Sequence, residues 1–168
     1  MSHLAEADVA IACVSLRGLA VASGSASEVL DWCSRVEALF SVREEEVRVH
    51  PTGGPMAIVS GATLDVVRST FAVVAEVESA RKGSKHHGLL SVGIAQGSAA
   101  VLTDGRIIGT VVARADALRH IADLRGEIIV DREVALGVLP TGIGASQVRA
   151  PWATAMEVRV YRLASFGP

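Results

Sequence analysis

The stretch DVAIACVSL, residues 8–16, is a nearly continuous apolar run rich in β-branched side chains. It is too short to cross a membrane, which takes about 20 apolar residues, and Arg17 ends it. An apolar run without polar alternation suits a central strand covered on both faces. The chain around it must therefore supply flanking strands and helices to lay over them.

GSASEVLDWCSRVEALFSVREEE reads as a helix. Ser25 or Ser27 can cap it, and Val29, Cys33, Val36 and Phe40 recur at helical spacing. EVRVH and PMAIVS flank the glycine turn at Gly53-Gly54 as a hairpin. A second helix is predicted from about Thr63 to Arg81, with Leu64, Val67, Phe71, Val74 and Val77 on one face. RKGSKHHG is a polar loop, and LLSVGIAQGSAAVLTDGRIIGT holds two strands about the turn at Asp104-Gly105. A third helix is predicted over about Val111 to Leu124, with Leu118, Ile121 and Ala122 as core contacts. GEIIVD is a buried strand, followed by a short helix at Arg132–Gly137, and MEVRVYRLA is a half-exposed terminal strand. The expected order is β-α-β-β-α-β-β-α-β-α-β, helices laid on a mixed sheet, with no internal repeat. At 168 residues, half of them apolar, one domain with an ordinary core is expected.

Several function classes lose support at this level. A net charge of −2 offers no basic excess for nucleic acid. Cys13 and Cys33 read as small buried hydrophobes, not as a disulfide or zinc framework. Without a basic leader or a long apolar segment, the expected location is the cytoplasm. No P-loop and no G-x-S-x-G elbow occur, and TGIGASQ (141–147) reads as a loop. His86-His87 sits in a lysine-rich loop without partner ligands, and Glu44, Glu45 and Glu46 read as the solvated end of the first helix. No cofactor and no metal are expected.

In the C-terminal half, Val92-Gly93-Ile94 and Gly97 match "R-V-G-I-H-x-G-x-V", a motif of class III nucleotide cyclases, the adenylate and guanylate cyclase catalytic domains. Gly109, Val112, Ala115 and Leu118 keep the frame of the family's "G-x-x-V-N-x-A-x-R-L", and Gly126 to Val130 that of "P-G-E-I-L-V-S". With that register IACVSLRGLA resembles "F-x-D-I-x-G-F-T", Gly18 matching its glycine, and PTGGPMAIVSG resembles "I-G-D-G-x-M-A-V-F-G". The resemblance runs from about residue 8 to 163. It implies an α+β, ferredoxin-like (palm-like) core: a mixed, mostly antiparallel sheet with helices packed on it.

The resemblance also locates the family's chemistry, and here the residues depart from it. Two aspartates hold two metal ions in that family, because phosphoryl transfer needs cations over developing negative oxygen. They align with Ser15 and Gly53. The ribose-positioning Asn aligns with Ala113 and the phosphate-stabilising Arg with Ala117, while the base-selecting positions fall near Val49 and Thr110. Residues 9–24 and 49–62 contain no Asp or Glu, so a shifted alignment restores nothing. A family half-site would keep either the aspartates or the Asn and Arg; this chain keeps neither.

The expectation is a catalytically inactive cyclase-like domain in bacterial-type signalling or regulation, acting through protein contacts as a homodimer or on a partner. The alternative is a small-ligand sensor for a nucleotide or cyclic dinucleotide in the former cleft, where alignment puts Arg17, His50 and Arg114. A degenerate GGDEF domain is a third reading, since GGPMAIV looks like an eroded "G-G-D-E-F-A-I-L", but its lead-in motif is absent from residues 1–30.

Overall fold

The computed structural model describes residues 6–17, 26–79, 89–121, 127–149 and 159–164. Strand β1 (Glu6–Arg17) takes up the opening apolar run. Helix α1 (Ala26–Ser41), the hairpin β2 (Val47–His50) and β3 (Met56–Gly61), and helix α2 (Thr63–Ser79) follow. Then come β4 (Leu89–Val101), the short β5 (Ile107–Ile108), α3 (Thr110–Arg119), β6 (Ile128–Asp131), α4 (Arg132–Val138), a 3-10 turn (Leu139–Thr141), β7 (Ala145–Val148) and β8 (Val160–Leu163).

All eight strands form one sheet in the order β2-β3-β1-β4-β6-β8-β7, with β5 paired to β4. β1 pairs antiparallel with β4 from Glu6 opposite Ala100 to Arg17 opposite Leu89. Among the described strands, β4 and β6 form the parallel pair, so the sheet is mixed and mostly antiparallel, as an α+β core requires.

β1 is covered on both sides, as its composition demands. Ala10, Ala12 and Val14 join the cluster under α1, α2 and α4 with Phe40, Val67 and Val134. Ile11 and Cys13 face the other way, into a cluster with Val111, Ala115 and Leu118 of α3. Alternate residues thus feed two cores. Three helices roof one face, and α3 the other. At Gly93 the backbone of α3 comes down onto the sheet. A Cβ there would run into the Ala115 carbonyl oxygen and the Arg119 amide nitrogen, so glycine lets helix backbone rest on strand backbone.

Four expectations are corrected in detail. The acidic run is not the end of a helix: α1 stops at Ser41, and residues 42–46 form a turn in which Glu46 Oε2 accepts from Ser69 Oγ at 2.8 Å. The buried face of α2 is wider than one stripe and includes Val66, Ser69, Thr70 and Val73, because β-strands and α1 cover it from both sides. α3 ends at Arg119, with Val111, Ala115 and Leu118 as its buried residues; Ile121 follows in a turn, and Ala122 to Gly126 lie outside the described residues. Finally, the segment read as a loop contains β7, an edge strand whose Ser146 and Gln147 are exposed and carry no apolar signal.

Candidate functional site

The C-terminal end of β1 is the meeting point. The register sets Ser15 opposite Met56 on one side and Ser91 on the other. Met56 lies three residues past Gly53, so the β2–β3 turn is within about 10 Å of chain from that pair. The Ser15 side chain is buried. Its Oγ accepts a hydrogen bond from Arg119 Nη1 at 2.7 Å, and Arg119 Nε donates to Asp116 Oδ1 at 2.6 Å. The helix places these two because Asp116 and Arg119 stand one turn apart. The Arg119 side chain is 18% exposed, so its charge sits under α3 and not in bulk water. Cys13, two residues back on the same strand face, gives its thiol to Val112 O at 3.8 Å. Burial pushes that thiol up to about 12, Asp116 adds to the rise and Arg119 opposes it.

The hairpin turn is held by its own polar atoms. Thr52 Oγ1 donates to Met56 O at 2.7 Å, and Gly54 N donates to Thr52 Oγ1 at 3.3 Å. Gly53 has φ of 67°, in the left-handed region, yet a Cβ there would meet nothing within 4 Å. Backbone conformation, not crowding, is what favours glycine there. A cavity of about 300 Å³ opens beside this turn between α1 and the hairpin; Leu30, Cys33, Glu37, Thr52, Gly53 and Gly54 are among its lining residues.

The other residues singled out by sequence fall in different places. Ala113 is exposed and Ala117 half-buried on α3, and neither offers a polar atom beyond the backbone. Thr110 is exposed at the start of α3 and Val49 is half-buried in β2. Arg17 closes β1 opposite Leu89; its side chain, with Gly18 and His86-His87, lies outside the described residues. His50 is wholly buried, with Nδ1 2.9 Å from Gly105 O and Nε2 2.6 Å from Ser60 Oγ. Arg114 pairs through Nη1 with Asp131 Oδ2 at 3.0 Å. Asp131 is buried and also accepts from Gln96 N and Val134 N. Burial raises its pKa against those bonds and the Arg114 charge. Neither His50 nor Arg114 reaches the cavity beside Gly53.

Arg119 and Asp116 are the site residues that sequence reading missed. Their spacing is visible in DALR as an acid–base pair one helical turn apart. Their contact with Ser15, 104 residues away, has no local signature.

The residues present do not fit a divalent cation at the family's aspartate positions. Ser15 is neutral and faces a guanidinium, and Gly53 has no side chain. Among the described residues no three His, Cys, Asp or Glu side chains gather closely enough to share an ion.

No family model matches the sequence, and no curated protein is similar to it. Solved structures are similar in shape. The adenylyl cyclase CyaB of P. aeruginosa superposes with a TM-score of 0.80, over 98% of this chain and 97% of that one, at 16% identity. The chain has the fold of nucleotide cyclase catalytic domains. The adenylate/guanylate cyclase/hydrolase of Silicibacter pomeroyi gives a TM-score of 0.78 over 97% and 99% of the two chains, also at 16% identity. A dimeric guanylyl cyclase domain of the RhoGC fusion protein from the fungus Blastocladiella emersonii gives 0.72 over 97% of each chain at 13% identity. Identities this low establish the cyclase fold alone. Among the described residues of this cyclase-fold chain, no helix is long and apolar enough to cross a membrane.

Proposed function

We propose that this chain is a cyclase-fold domain that does not cyclise nucleotides and acts in signalling through protein contact, as a homodimer or on a partner protein. The observation that carries the reading is the end of β1, where the hydroxyl of Ser15 is bonded to Arg119 in place of a metal-holding carboxylate. Cyclisation needs cations clamped on the triphosphate, and removing one oriented charge from such a site typically costs a factor of about 10²–10³. Here both carboxylate positions and both transition-state positions lack a charged group. Association is supported by the sheet face that α3 alone roofs, where Val9, Met56, Val101 and Val148 are only partly buried.

The test is direct. Purified protein incubated with ATP or GTP and Mg²⁺ or Mn²⁺ should form no cyclic nucleotide above a protein-free control. Product that tracks the protein through purification overturns the reading. Sedimentation velocity across a concentration series distinguishes self-association from a need for another partner.

The cavity beside Gly53 favours a second reading, a small-ligand sensor. Among the described residues that line it the charged group is Glu37, which repels phosphate and suits a neutral or cationic molecule. Calorimetry against nucleotides and cyclic dinucleotides should therefore be silent, and heat from either would favour the sensor with a nucleotide ligand.

A further inference from the structure

A groove between α1 and α2, lined by Trp32, Arg35, Leu39, Glu76 and Val77, shows nothing that selects an occupant. The end of β1 goes further. Arg119 Nη1 lies 2.7 Å from Ser15 Oγ, and its Nε is held by Asp116 at 2.6 Å. A guanidinium stays protonated at any pH a protein survives, and this one is largely shielded from solvent. We propose that Arg119 takes the place of the cation at the end of β1. It is a covalently attached positive charge that would hold a carboxylate introduced at position 15 as an ion pair and keep a divalent ion away from it. The inference rests on the reading of this chain as a cyclase fold without metal-dependent chemistry.

Two physical points carry it. The guanidinium fork is one hydrogen-bond length from position 15, and it prefers a carboxylate to a hydroxyl because the bond becomes charge-assisted. A metal approaching the same oxygen would meet the guanidinium across a few ångströms of partly buried space, its charge offset only in part by the Asp116 carboxylate on Nε. Restoring carboxylates is therefore not enough to restore a metal site. The turn itself is no obstacle, since a Cβ at Gly53 meets nothing within 4 Å and Asp tolerates the left-handed region.

The experiment compares Mn²⁺ binding, read from the electron paramagnetic resonance signal of the free ion, in the full chain and two variants. S15D/G53D should bind no better than the unmodified chain. S15D/G53D/D116N/R119M, which removes the positive charge without freeing the Asp116 carboxylate as a new ligand, should bind roughly 10–100-fold tighter. Equal affinities for the two variants overturn the proposal. A melting series gives a second readout that needs only one substitution. S15D should melt above its neutral isostere S15N, since only the carboxylate makes a charge-assisted pair with Arg119. An S15D Tm no higher than that of S15N also overturns it. The two readings fail separately: cyclic nucleotide from the unmodified chain defeats the proposed function, whereas equal Mn²⁺ affinities defeat only the role of Arg119.

Discussion

His50 and Gly105 join two hairpins. The Gly105 carbonyl can only accept, so His50 Nδ1 donates to it across 2.9 Å, and Nε2 must accept the hydroxyl proton of Ser60 at 2.6 Å. The imidazole is neutral, buried and used at both ends. The β2–β3 hairpin that carries Gly53 is thereby tied to the β4–β5 turn. His50 sets the position of the candidate site without lining it.

Acid should loosen this tie. Burial holds His50 below its ordinary value of 6.5, so the unfolded chain takes up the proton first. The stability it contributes is complete above that value and is lost as pH falls through the folded-state pKa. Urea midpoints should drop as pH falls below 6.5. In H50A the unfolding free energy should start lower by about 2–4 kcal/mol, and the acid slope should flatten. An unchanged slope in H50A would place the acid sensitivity elsewhere.

Alkali should act through Cys13. Its thiol is raised from 9.0 to about 12 in the fold, so stability is complete below 9.0 and is lost as pH rises through that window. The native protein should be inert to Ellman's reagent at Cys13 near pH 8, and reactive once denatured. Rapid modification of Cys13 in folded protein would contradict the packing of α3 on β1.

Two glycine substitutions should separate crowding from conformation. G93A drives a methyl group into the backbone of α3 and should destabilise by about 3 kcal/mol or more. G53A meets open space and carries only the cost of a left-handed backbone, about 1 kcal/mol. Chemical denaturation of both in parallel checks the order, and a G53A cost equal to that of G93A would refute it.

Asp131 should matter more than its ion pair. Its Oδ1 caps α4 through Val134 N, and Oδ2 takes Gln96 N as well as Arg114. Arg114 is 38% exposed and water can resolvate it, so most of the D131A loss comes from two orphaned amides. About 2–3 kcal/mol is expected for D131A and little for R114A, measured by thermal melts.

The apolar run at residues 8–16 dictated a strand covered on both faces, because no other placement buries alternate residues of that composition. The helical repeat of Cys33, Val36 and Phe40, the hairpin around Gly53 and the motifs about Gly93 and Gly109 were likewise legible, since each is local in chain. They were enough to lead to the cyclase fold. β7 was not legible: an exposed edge strand is made by its neighbour β8, and its own residues carry no apolar alternation. Nor were the partners of the polar groups. Ser15 could be read as a lost carboxylate, but only the docking of α3 on Gly93 brings Arg119 to it. His50 could be read as a cleft residue, but only the folding-over of the β4–β5 turn encloses it. Periodicity and turn chemistry act between neighbours in sequence, whereas the charge beside Ser15 is set by a contact that spans 104 residues and exists only after the sheet and α3 have packed.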